Sequence, residues 1–121
     1  MTGMPGISIH VVDVSRGVVA QGLAVRIERL AGNERVLLAA GRIGPTGTLR
    51  ELDALAAQCV AGVYEATFEV GDYYRQAGIA LPATPFLETV PYRFGLDDVA
   101  QHYHLPFKMT PWGYSCFRGG A

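Results

Sequence analysis

Residues Gly62–Val70 alternate one by one, with Val63, Glu65, Thr67 and Glu69 on one side and Tyr64, Ala66, Phe68 and Val70 on the other. A period of two is the mark of a strand laid on a core. The same pattern recurs between turns along the chain. Ile7–Val14 is rich in β-branched residues and stops at the Ser15-Arg16-Gly17 turn. Leu23–Leu30 puts Leu23, Val25 and Ile27 toward a core and Arg26 and Glu28 toward water. Ala31-Gly-Asn-Glu34 then turns the chain into Arg35–Ile43. After the punctuation at Gly44-Pro-Thr-Gly47, Thr48–Leu52 is predicted as a short edge strand and Asp53–Val60 as helix-tolerant. Asp72 is the expected N-cap of one short helix, Tyr73–Ala77, closed by Gly78, with Tyr73 and Tyr74 packing it on a sheet. Leu87–Phe94 reads as a strand whose Pro91 requires an edge or a bulge. Short strands at turn-limited spacing with a single helix predict an all-β sandwich.

The chain's 121 residues suit one domain spanning 1–121. With 17% charged residues and a net charge of −1, nothing draws it electrostatically to nucleic acid or an anionic membrane. Small metabolites and protein partners remain. No apolar run is long enough to span a bilayer, and Met1–Gly6 lacks the basic and apolar parts of an export signal, so a cytoplasmic protein is expected. Cys59 and Cys116 are then expected as free thiols.

The chemistry gathers near the C-terminus. His102–Thr110 and the residues after Gly113 are predicted as two strands joined by Thr110-Pro111-Trp112-Gly113. On an extended strand His102, His104, Pro106 and Lys108 project together, and His10 and Val12 share a face of the first strand. Ionisable side chains are costly to bury unpaired, so this row lines a cavity or faces solvent. Polar chemistry so near a terminus, where chains usually fray, points to cover from a second subunit.

Three segments carry a resemblance: Ile9-His-Val-Val-Asp-Val-Ser-Arg-Gly17, His102-Tyr-His-Leu-Pro106 and Thr110-Pro-Trp-Gly-Tyr-Ser-Cys-Phe-Arg-Gly119. Together they resemble the 5-hydroxyisourate hydrolase family, the transthyretin-related proteins, over nearly the whole chain. The resemblance implies a transthyretin-like sandwich of eight strands, assembled as a homotetramer from paired dimers with active sites in the channel between them. It implies hydrolysis of 5-hydroxyisourate, an unstable product of urate oxidation, by attack of water on a ring amide carbonyl, with no cofactor and no metal. Carried over residue by residue, His10, His104 and Arg118 are the catalytic candidates, and Thr48, Arg50, Lys108, Ser115 and Phe117 the substrate-binding ones. A neutral imidazole takes a proton from water near neutral pH, and a guanidinium offers donors to the developing oxyanion.

The sequence departs from the family pattern in three places. The arginine of a Gly-Arg pair after the third strand falls on Thr48, with Arg50 two residues on; Lys108 replaces an aliphatic residue; and the ending is Phe-Arg-Gly-Gly instead of Tyr-Arg-Gly-Ser, which removes a phenol at Phe117 and a hydroxyl at Gly120. These changes keep open a related cyclic amide or ureide as substrate. Three further readings stand beside it: a small-molecule-binding protein without chemistry, a zinc site made of His10, His102 and His104, and a structural assembly protein.

Overall fold

The computed structural model describes residues 5–119. Eight strands form two four-stranded sheets: β1 (Gly6–Asp13), β2 (Val18–Val19), β3 (Ala24–Ala31), β4 (Glu34–Arg42), β5 (Gly62–Phe68), β6 (Val90–Leu96), β7 (His102–Thr110) and β8 (Gly113–Cys116). One sheet runs β2-β1-β7-β8 and the other β4-β3-β5-β6. A 3-10 helix, Arg50–Gln58, connects β4 to β5 of the same sheet, and the α-helix α1, Val70–Gln76, follows β5.

Alternation decides what each strand buries. Ile7, Ile9 and Val11 of β1 and Tyr103, Leu105, Phe107 and Met109 of β7 point into the space between the sheets, where they meet Val25, Ile27, Tyr64, Ala66 and Phe68. Phe68 and Phe107 stack across that space with centroids 3.9 Å apart and planes 7° from parallel. Each fully buried aromatic contributes about 1.5–3 kcal/mol by area alone. β1 and β7 lie side by side in parallel, Ser8 opposite His104 and His10 opposite Pro106. Their outward residues, Ser8, His10, Val12, His102, His104 and Pro106, are half-buried, while Lys108 is exposed.

The second sheet's outer face carries charge. Glu65 is almost buried there and accepts from Arg35 at 2.8 Å and from Arg93 at 3.1 Å. The Arg35 hydrogen bond holds its carboxyl below the usual range, with help from Arg93 against the opposing effect of desolvation. Alternation in β5 therefore separates two faces that are both covered, one by the core and one by arginine side chains.

Asp13, at the end of β1, is wholly buried. It accepts from Ser15 Oγ at 2.6 Å, Tyr74 at 2.7 Å and Tyr73 at 3.0 Å, so both tyrosines of α1 fasten the helix to β1. Burial first, and Asp13 after it, raise the Tyr73 pKa. The tyrosines do pack the helix as their position implied, through hydroxyls as well as rings.

Three sequence expectations are corrected. Thr48–Leu52 is no edge strand: Thr48 makes one isolated bridge to His10, and the 3-10 helix begins at Arg50, drawing Leu49, Leu52 and Leu55 into the core on a helical spacing. The eighth strand is instead the two-residue β2. Helix α1 starts at Val70 with Glu69 at its cap, so Asp72 lies in the first turn and pairs with Arg75 at 3.1 Å. The strand expected at Leu87–Phe94 runs Val90–Leu96. It is an edge strand, as Pro91 required. Gly78, at φ +82°, ends α1 as expected. Cys59 and Cys116 are free. No helix among the described residues is long and apolar enough to cross a membrane. Residues 1–4, most of the segment read as lacking an export signal, lie outside the described residues, as does Gly120.

Candidate active site

The outer face of β1 and β7 brings together residues that lie far apart in the chain. Ser8 Oγ stands 2.7 Å from His102 Nε2 and 2.7 Å from His104 Nδ1. The parallel register explains this: Ser8 faces His104 directly, and Gly6 opposite His102 has no side chain to keep that ring from leaning over. His10 sits one pair further along the same face. Its ring nitrogens have no hydrogen-bond partner among the described residues.

Two single bridges extend the sheet on either side of the histidines. Thr48 pairs with His10 along the free edge of β1, with Val11 N donating to the Gly47 carbonyl at 2.9 Å. On the far side Gly119 pairs with His104 and donates to its carbonyl at 2.8 Å. A turn and a tail therefore rim the histidine face. Gly47 lies flat against His10: at φ +85°, a Cβ there would come within 2.7 Å of His10 Nε2. Only glycine suits both that dihedral and that approach.

Electrostatics follow from this crowding. Burial, then the neighbouring His102 and His10, push the His104 pKa below the ordinary imidazole value. His104 is therefore neutral at pH 7, with a ring nitrogen ready to accept a proton.

The other candidate residues divide between faces. Cross-strand partners share a face, so Thr48 lies on the histidine side; its hydroxyl is 3.0 Å from that of Thr46. Lys108 is on the same face, paired in register with Ser115, and both are exposed. Lys108 has no ion-pair partner among the described residues. Phe117 is 48% exposed, and its ring lies beside Gly119, which in turn packs on the Pro106 ring. Arg50, exposed at the start of the 3-10 helix, reaches a separate cavity of ≈ 310 Å³ lined with Thr48, Thr46, Arg42, Glu51 and Asp53.

Arg118 is on the opposite side. With Gly119 opposite His104, alternation turns Arg118 the other way. Its guanidinium lies 4.0 Å over the Tyr103 ring and donates to Gln101 at 2.8 Å and to the His102 carbonyl at 3.3 Å. It reaches neither His10 nor His104 in this conformation.

Sequence reasoning passed over two residues of this face. Ser8 shares the parity of His10, which was a usable signal; the Gly47 packing on His10 is a long-range contact that no local pattern announces. The three imidazoles do not converge on one point. Among the described residues, no group of three or more His, Cys, Asp or Glu side chains is placed to hold a metal ion.

A family model described as HIUase/Transthyretin family matches residues 7–119. The chain is similar to 5-hydroxyisourate hydrolase 2 of Rhizobium meliloti (strain 1021), 40% identical over 113 residues that cover 93% of this chain and 94% of that protein. It is similar also to the 5-hydroxyisourate hydrolase of Ralstonia nicotianae, 39% identical over 118 residues, 96% of this chain and 99% of the relative. Among solved structures, Klebsiella pneumoniae 5-hydroxyisourate hydrolase superposes with a TM-score of 0.79 at 29% identity, over 97% of this chain and 100% of that one. The crystal structure of an (S)-allantoin synthase gives a TM-score of 0.83 at 31% identity, over 98% of this chain but 45% of the larger protein. A family match that runs from Ile7 to Gly119, and relatives this similar over nearly their full length, establish that the chain belongs to the HIUase/Transthyretin family.

Proposed function

We propose that this chain hydrolyses 5-hydroxyisourate, opening its ring by addition of water to a ring amide carbonyl, in the degradation of urate. The observation that carries the reading is the cluster of His10, Ser8 and His104 on one sheet face, in a chain similar over almost its whole length to proteins named 5-hydroxyisourate hydrolase. His104, held neutral, takes a proton from water as the oxygen bonds to the carbonyl carbon. His10 gives a proton to the ring nitrogen as the carbon–nitrogen bond breaks. Thr48, Ser115 and Phe117 bound the substrate, with Arg50 at the margin.

The developing oxyanion needs a donor. Lys108 supplies a cation on the histidine face. Arg118 becomes the second donor by swinging off Tyr103, a step that breaks an exposed cation–π contact worth about 0.5–1 kcal/mol and also the hydrogen bonds to Gln101 and the His102 carbonyl. The reading includes a homotetramer of paired dimers that closes the face into a channel, supported by exposed Trp112, Phe117, Val14 and Val18. It also includes a reducing, cytoplasmic setting, supported by the two free thiols.

The test is to mix the protein with freshly generated 5-hydroxyisourate and follow its ultraviolet decay. Acceleration over buffer supports the reading, and decay at the buffer rate removes it. A second reading, a related cyclic ureide as substrate, draws on the cation at Lys108 and its absence at Thr48. It requires that a panel of such rings include one turned over faster than 5-hydroxyisourate.

A further inference from the structure

The role of Ser8 follows from counting protons. A hydroxyl has one proton and two lone pairs, so Ser8 satisfies both imidazoles by donating to one and accepting from the other. The protonation of His104 is thereby tied to that of His102, a residue with no part in the chemistry described above. We propose that Ser8 is a positioning and relay residue that passes a proton between His104 and His102 during turnover. The proposal rests on the hydrolase reading.

In the resting arrangement His104 Nδ1–H donates to Ser8 Oγ, and Ser8 O–H donates to His102 Nε2. That leaves a lone pair on His104 Nε2. When Nε2 takes the proton from the attacking water, His104 is briefly an imidazolium. Its Nδ1 proton then moves to Ser8 Oγ as the Ser8 proton moves to His102 Nε2. No bond is left unbalanced: His104 ends neutral with Nε2 protonated, Ser8 regains its hydroxyl, and the positive charge rests on His102.

Two observations favour this step. Both distances, 2.7 Å and 2.7 Å, are short enough for transfer without rearrangement. His104 is a poor place for a charge, because burial and the adjacent His102 and His10 disfavour its cation. The titratable and charged groups around the trio are His10 on β1, Lys108 further along β7, and Arg118 on the tail.

The experiment compares wild type, Ser8→Ala, Ser8→Thr, His102→Ala and the Ser8→Ala/His102→Ala double variant in 5-hydroxyisourate turnover across pH. Loss of the relay should lower kcat by about tenfold to a hundredfold in Ser8→Ala and in His102→Ala. KM should stay within about twofold, since substrate contacts are unchanged. Ser8→Thr, which keeps the hydroxyl, should restore kcat and the wild-type pH profile. The double variant should lose no more than either single one, because both cut the same path. A wild-type kcat and pH profile in Ser8→Ala, or losses that multiply in the double variant, would overturn the proposal. If wild type itself fails to accelerate decay, the hydrolase reading fails and the relay is judged by histidine nitrogen NMR. In that case Ser8→Ala must shift the His104 tautomer, and an unchanged tautomer refutes the coupling.

Discussion

The surroundings of His10 and His104 are set by what lies next to them. His104 is kept neutral by burial and by two neighbouring imidazoles, so its usefulness as a base should persist below the pH at which a free imidazole is half protonated. We therefore expect the acid limb of kcat/KM to lie on the acid side of the ordinary imidazole value, as protonation of His104 removes the accepting lone pair. An acid limb at or above that value would show that another group sets it. His10 is held by Gly47 at φ +85°, where a methyl group would press on Nε2. Gly47→Ala should cost about 1–2 kcal/mol of stability from the left-handed backbone alone. By displacing His10 it should also cut turnover by about tenfold or more. Chemical denaturation and steady-state kinetics on that variant read the two effects separately. At this scale strand parity already put His102, His104 and Lys108 in one row and His10 with Val12 on one face of β1, because parity along a strand is a local property. Arg118 came from the family resemblance, which carries no direction for its side chain; its position beside Gly119 in the sheet turns it toward Tyr103.

Among the elements, β1 has the most to hold. One edge pairs with β7, the other with β2 and Thr48, and its last residue anchors α1 through a buried carboxylate. Asp13→Ala would strand the Tyr73 and Tyr74 hydroxyls in the protein interior. We expect a loss of about 2–4 kcal/mol in urea unfolding, since each orphaned buried group costs roughly 1–3 kcal/mol. A loss under about 0.5 kcal/mol, typical of a surface substitution, would mean that the tyrosines find other acceptors. Strands with strict alternation, such as Leu23–Leu30 and Gly62–Val70, were legible to within a residue or two. Thr48–Leu52 was not: its leucines at 49 and 52 share a helical spacing with Leu55, which a five-residue window cuts off. The two-residue β2 exists only because β1 offers Val12 and Asp13 as partners, a condition outside its own sequence.

For the whole molecule, the decisive feature is a polar sheet face left half-covered by its own chain. The turn at Gly47–Thr48 and the tail at Gly119 border it, while Lys108 and Ser115 stay open. Trp112 at 72% exposure and Phe86 at 76% are large apolar surfaces of the kind that subunit contacts cover. Sedimentation velocity should therefore find a tetramer, with Trp112→Glu shifting the boundary toward smaller species; a monomer at micromolar concentration would contradict the assembly. Charge balance in the sequence gives no electrostatic pull toward nucleic acid, but how copies meet depends on surfaces assembled from distant segments, which composition does not describe. The central claim remains the pairing of imidazoles from β1 and β7, and its most direct measurement is the decay rate of 5-hydroxyisourate with wild type and with His104→Ala. The account predicts fast decay with wild type and a loss of about a hundredfold or more in the variant, with its circular dichroism spectrum unchanged. Equal rates for the two proteins would contradict it.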